Sequence, residues 1–293
     1  MTDFIDRHLK WFTLGPAAVL LLLLTIYPIV NLLFMSVSTI RFEQAQEVWT
    51  FTPMQNLRSL IGDEIFRIAL WNTVVFAFAS VIIEIVLGLA LAILVASITA
   101  LKGIVRTVLI VPVLMPPVAI GSMWKLMYSH DFGVFNQALT ALGLSPVNWT
   151  GSTSLALISV IIVDVWHWTP FVFLILFAAV EGVPKEVIEA ARVDGARNHD
   201  IAFKIVIPLL KPAIVVAMLF RTILAFKVFD QIFLLTSGGP GTSTEVVSLH
   251  LYRVFFMQNE LGYGATLSFA IIAATIAFLW VGRRVGAAVG GSR

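Results

Sequence analysis

Residues 186–212 read EVIEAARVDGARNHDIAFKIVIPLLKP and hold eight ionisable residues and a histidine. Long apolar runs flank them, Ser154–Val180 before and Val206–Leu224 overlapping their end. An apolar stretch of ~20 residues crosses the ~30 Å hydrocarbon core of a bilayer as a helix. A polar, well-punctuated segment between two such runs is therefore a connection on one face of a membrane.

The rest of the chain agrees. Of 293 residues, 59% are hydrophobic and 12% charged, with mean hydropathy +0.96. A soluble domain of this length carries about twice that charged fraction. The fold class is all-α: a polytopic membrane protein in a single transmembrane domain over 1–293. Six spans are predicted, at 14–38, 72–98, 104–128, 154–180, 205–229 and 262–282, with the polar loop at 181–208. The first apolar run outlasts the 7–15 residues of a signal peptide and reads as a retained span.

Lys and Arg in the connections set the orientation. Twelve fall on one side (Arg7, Lys10, Lys102, Arg106, Lys185, Arg192, Arg197, Lys204, Lys211, Arg283, Arg284 and Arg293) and five on the other (Arg41, Arg58, Arg67, Lys125 and Arg253). Both termini and the loop 181–208 are thus expected in the cytoplasm. The net charge of +2 is small and dispersed, so no nucleic-acid partner is expected. With no cysteine, disulfides and thiolate metal sites are excluded.

The loop has its own local grammar. Pro184 suits a first helical position. Lys185–Asp194 reads as a short helix stopped by Gly195, which tolerates the left-handed conformation of a helix end. Asn198 is placed to cap a second helix from about His199. Ile201, Ala202, Ile205 and Val206 form an apolar stripe on it. That stripe either folds back on the chain's own membrane domain or docks on another protein.

The spacing of this segment resembles the EAA loop of permease subunits of binding-protein-dependent, ATP-driven importers. Glu189-Ala190-Ala191, Gly195, Ile205 and Pro208 fall in register with it, and Ile207 stands where Leu is usual. VWHWTPF (165–171), VFDQIFLLTSGGPGTSTEV (228–246) and GYGATLS (262–268) are similar to the sugar-importer branch, of the maltose and glycerol-phosphate type. The resemblance implies that the elbow seats in a groove of a cytoplasmic ATPase. Glu189 would make the ion pair, Ala190 and Ala191 the close contact and Gly195 the turn, with Asp194, Ile205 and Pro208 as the other ATPase-coupling residues. The partners it implies are a second permease subunit, two ATPase subunits, an extracytoplasmic solute-binding protein and a carbohydrate substrate. No cofactor or metal is expected in this chain. ATP and Mg belong to the partner ATPase, because no G-x-x-x-x-G-K-[ST] phosphate loop occurs in the sequence.

Ionisable groups inside spans mark function or obligatory pairing. At 1.5 Å per residue, Glu84 lies about 18 Å into span 2, Asp164 about 15 Å into span 4 and Arg221 about 24 Å into span 5. Asp164, His167, Trp168 and Phe171 share one helical stripe; Arg221, Leu224, Ala225 and Val228 share another. In the family these stretches line the sugar cavity, which makes all eight substrate-path candidates. Asp164 and Arg221 either pair structurally or touch substrate, and the residues alone leave both open. Two other classes compete: a secondary transporter or channel working without an ATPase, and a membrane enzyme. The second is disfavoured because the sequence carries no catalytic constellation.

Overall fold

The computed structural model describes residues 2–44, 46–98 and 100–290. Arg293, counted above on the cytoplasmic side, lies outside the described residues. In chain order the elements are α1 (Thr2–Ser36), β1 (Ser38–Glu43), β2 (Gln46–Phe51), α2 (Pro53–Gly62), α3 (Glu64–Ser97), α4 (Lys102–Leu114), α5 (Pro117–Met127) and α6 (Val134–Ala141). There follow α7 (Ala156–Glu181), α8 (Lys185–Val193), α9 (Asn198–Asp200), a π turn (Ile201–Val206), α10 (Ile207–Leu209), α11 (Lys211–Phe226), α12 (Asp230–Leu235), α13 (Val247–Tyr252), a second π turn (Arg253–Met257) and α14 (Leu261–Gly290).

Four stretches are long and apolar enough to cross a membrane: Leu14–Ser36, Glu64–Ser97, Ala156–Glu181 and Leu261–Gly282. They match predicted spans 1, 2, 4 and 6. Predicted spans 3 and 5 are bent. The α4–α5 pair turns by 93° and the α9–α11 stretch by 65°, giving up to six crossings among the described residues. The cause of the first bend is local. Met115 and Pro116 each precede a proline, which pushes both out of the helical region to ψ 138 and ψ 137. The second bend falls between Leu209 and Lys211, where Pro208 and Pro212 bracket the join.

The chain divides into two compact units, Met1–Asp63 with Leu251–Ala274, and Glu64–His250 with Thr275–Arg293. In the first, the connection after α1 is an antiparallel hairpin, Ser38 opposite Phe51 and Glu43 opposite Gln46, followed by α2. It is the only sheet among the described residues. The second unit is centred on α3 and α7, which pack more extensively than any other helix pair. Both helices are apolar on all sides, the signature of elements surrounded by protein and lipid. Gly88 allows their close approach: a Cβ there would stand 2.7 Å from Val172 Cγ1 and 3.1 Å from the Phe173 nitrogen.

Candidate functional site

Two places in the second unit gather the predicted residues. One is the elbow after α7. The helix α8 ends at Val193, with Gly195 at φ +82. Ala196 N–H donates to Ala191 O at 2.9 Å and Gly195 N–H to Arg192 O at 3.0 Å. These two bonds satisfy carbonyls that a helix end otherwise leaves bare, and they require the left-handed residue between them. The predicted glycine stop is therefore present. Two details differ. Pro184 precedes the first helical residue rather than filling it. Asn198 is already inside α9 and makes no capping bond; Arg197 holds the cap position with extended backbone.

The elbow has an inner and an outer side. Ile201, Val206 and Leu210 form a buried cluster, against which Leu89, Ala179, Val180, Ile188, Ala191, Ala196 and Ile214 pack. The apolar stripe of the second helix thus folds back on its own membrane unit. Ile205 and Pro208 are half-buried beside it. The outer side carries Glu189, Ala190, Asp194 and Gly195, all exposed, together with Val193 at 88% and Phe203 at 69% exposure. The structure thereby splits the alanine pair, Ala190 outward and Ala191 against the chain's own core. Lys204 Nζ meets Asp200 Oδ1 at 2.6 Å on the surface of the second arm.

The other place is an ionic knot inside the spans. Arg221 of α11, Glu84 of α3 and Asp164 of α7 are buried and joined. Arg221 Nη2 donates to Glu84 Oε1 and Asp164 Oδ2, both at 2.7 Å, and Arg221 Nε donates to Glu84 Oε2. The planar guanidinium suits a two-pronged grip on a carboxylate. Arg221 Cζ also lies 4.9 Å from the centre of the Trp168 ring, a cation–π geometry. The two intramembrane charges with open roles in the sequence, Asp164 and Arg221, are therefore partners, and Glu84 is their third member.

Beside the knot is a cavity of about 160 Å³ lined by Pro117, Asp164, His167, Trp168, Leu224, Lys227, Val228, Phe229, Asp230 and Gln231. Five predicted residues reach it: Asp164, His167, Trp168, Leu224 and Val228. Three do not line it. Arg221 lies behind Trp168, Ala225 is buried in packing, and Phe171 stands edge-on to Trp168 with ring centres 5.8 Å apart. The sequence missed Gln231, Asp230, Phe229 and Pro117. Gln231 Nε2 lies 3.1 Å from His167 Nδ1, while its buried Oε1 has no hydrogen-bond partner among the described residues. The VFDQ stretch after span 5 held the signal: polar residues one turn beyond a membrane helix, next to an aromatic. Lys227, just past the end of α11, is exposed and forms part of the cavity wall.

The cavity thus mixes polar and apolar walls, taken from α5, α7, the end of α11 and the start of α12. The chain belongs to the family of binding-protein-dependent transport system inner membrane components, which it matches over residues 84–290. That stretch takes in the knot, the cavity and the elbow. The chain is 36% identical over 237 residues, 80% of each chain, to the trehalose/maltose transport system permease protein MalF of Thermococcus litoralis. It is 33% identical to the trehalose transport system permease protein SugA of Mycobacterium tuberculosis, covering 98% of this chain and 92% of that one. The sulfoquinovosyl glycerol transport system permease protein SmoG of Agrobacterium fabrum is 32% identical over 94% of this chain and 89% of its own. The fold is shared with a chain of a bacterial transporter that imports the acidic polysaccharide alginate, at TM-score 0.83, 20% identity and coverage of 97% and 96%.

Proposed function

We propose that this chain is a transmembrane subunit of an ATP-driven importer carrying a carbohydrate or sugar derivative across the bacterial inner membrane. The observation that carries the reading is the outer face of α8. It presents Glu189 and Ala190 beside an apolar Val193 that the described residues leave exposed. An exposed acidic and apolar helix face on a membrane domain lacking a phosphate loop fits a seat in a separate ATPase. In this reading the elbow is cytoplasmic, as are both termini. A second permease subunit and two ATPase subunits complete the machine, and a binding protein delivers the sugar from outside. The permeases named for trehalose, maltose and sulfoquinovosyl glycerol support the substrate class.

The mechanism follows from the connections. The buried inner side of the elbow joins α8 to the α7 and α11 ends through Ala179, Val180, Leu210 and Ile214. ATPase closure that displaces α8 therefore displaces the helices carrying Asp164, His167, Trp168 and Leu224. The cavity offers an aromatic ring, Trp168, and polar groups on His167, Gln231, Lys227 and Asp230. That is the combination that holds a sugar: apolar ring face on aromatic, hydroxyls on donors and acceptors. Asp164 contributes one wall while its charge is held by Arg221.

The test is reconstitution. The complex that co-purifies with this chain is placed in liposomes with ATP at the ATPase side and binding protein at the other. Uptake of a labelled disaccharide that needs both components supports the proposal. Uptake by this chain alone, without nucleotide, would establish a secondary transporter instead.

A further inference from the structure

The first unit contains a helix that the transport cycle does not use. Its polar side is anchored at the level where two spans end. The last carbonyls of α1 lack intrahelical partners, as at any helix C-terminus. Asn56 of α2 donates to Ser36 O at 2.9 Å and Ser38 O at 3.0 Å. Thr266, one turn into α14, donates to the same Ser36 oxygen at 3.0 Å. Asp63, just past α2, accepts a hydrogen bond from Tyr263 of α14. The approach is tight: a Cβ on Gly262 would stand 2.1 Å from Ser38 O and 3.1 Å from Asn56 Nδ2. The end of α1, the start of α14 and α2, through Asn56 and Asp63, thus meet at one place.

The rest of the α2 surface is divided. Asn56, Leu60 and Asp63 share the inward side. Gln55, Arg58, Ser59 and Gly62 make a polar arc. Between the two lies an apolar arc of Met54, Leu57 and Ile61, exposed at 57%, 42% and 71%. Among the described residues none seals it from solvent. At the adjoining end of α1, Leu33 and Phe34 are also exposed, on a helix whose apolar window is 0% buried within the chain. The apolar arc is therefore continuous in depth with the lipid-facing end of a span.

We infer that α2 is an interfacial helix, lying in the membrane surface on the hairpin's side with Met54, Leu57 and Ile61 in the acyl boundary and Gln55, Arg58 and Ser59 in the headgroup layer. Amphipathic helices with separated apolar and polar arcs take this position. A long cationic side chain at its border reaches headgroups while its stem stays apolar. The assignment needs only that α1 and α14 cross the membrane, so it stands whichever sugar, or whichever energy source, the transporter uses. A bilayer is favoured over a delivering protein partner because a docking face for a transient partner is expected to be more polar than three large aliphatic side chains in a row.

The absence of cysteine makes the test direct. Met54→Cys, Leu57→Cys, Ile61→Cys, Gln55→Cys and Ser59→Cys are spin-labelled one at a time in the purified complex in bilayers. Collision rates are then measured with oxygen, which concentrates in lipid, and with a nickel chelate, which stays in water. The expected result is oxygen dominant at 54, 57 and 61 and nickel dominant at 55 and 59. Nickel dominant at all five places the helix in water and overturns the inference. Low collision with both reagents at 54, 57 and 61 shows a protein covering the arc, and overturns it equally. Should a labelled variant fail to assemble, Ile61→Trp and Ser59→Trp replace it: brominated lipid should quench the added emission of the first and spare the second.

Discussion

Arg221→Met tests the ionic knot with a number attached. The substitution keeps the length and apolar stem of the side chain and removes the guanidinium. Glu84 and Asp164, both buried, then lose the partner that three hydrogen bonds tie to them. Removing one member of a buried ion pair costs about 3–5 kcal/mol, because the remaining charge stays out of water. A coulombic estimate agrees: at 4 Å and an effective dielectric near 20, one pair is worth about 4 kcal/mol. For a chain of this size each kcal/mol moves the midpoint by about 2–4 °C, so the expected loss in Tm is about 6 °C or more. The assay is thermal unfolding of the purified complex in detergent. The decisive control is the triple variant Glu84→Gln, Asp164→Asn, Arg221→Met, which leaves no charge to strand. It should recover most of the lost Tm, since replacing a whole buried ionic group is often near neutral. If Arg221→Met melts with the parent protein, or if the triple variant is worse than the single one, the carboxylates are solvated or held by another chain. The knot would then not be the tie between α3, α7 and α11.

Four further outcomes follow from the same geometry. Gly88→Ala puts a methyl group into Val172 and should destabilise by about 1–3 kcal/mol through overpacking; adding Val172→Ala should restore part of the melting temperature. Gly195→Val meets no atom within 4 Å, so its cost is purely that of a branched residue at φ +82, about 1–2 kcal/mol; limited proteolysis should show a loosened elbow with intact spans. Trp168→Ala should raise the KM for sugar uptake well above that of Phe171→Ala, because only the first lines the cavity; equal effects would remove the cavity from the path. Glu189→Lys should leave assembly and nucleotide hydrolysis in place while uptake in liposomes falls, and retained full uptake would contradict the coupling role.

Much of this was legible in the sequence where one residue type has one physical use. Gly195 followed a short amphipathic helix and proved to be its left-handed stop. The four unbroken spans followed from apolar run length. What escaped had competing local causes or no local cause. Asn198 looked like a cap, but the extended backbone falls one residue earlier, at Arg197. Prolines 112, 116 and 117 sat inside an apolar run long enough to cross, and run length says nothing of a right-angle bend. The hairpin after α1 is short and β2 is exposed throughout, so no alternation of burial marks it. Glu84 and Arg221 lie 137 residues apart, and depth along separate helices places Glu84 near mid-membrane and Arg221 nearer the outer side without showing that they face each other. The cavity was half found for the same reason. Helical stripes on spans 4 and 5 gave five of its walls, whereas Phe229 comes from the break after α11 and Asp230 and Gln231 from the start of the short α12, out of phase with the span before it.

The account turns on α8 meeting a separate motor, and crosslinking reads that contact. Single cysteines are placed at Ala190 and Val193 on the outer side of α8, and at Ile188 on the side packed against the chain's own core. Each is challenged, in the assembled complex, with a cysteine in the groove of the co-purifying ATPase. Crosslinks are expected from Ala190→Cys and Val193→Cys and none from Ile188→Cys. Free reaction of both outer cysteines with a water-soluble maleimide in the intact complex, with no crosslink to the ATPase, would show that α8 is not where the two chains meet.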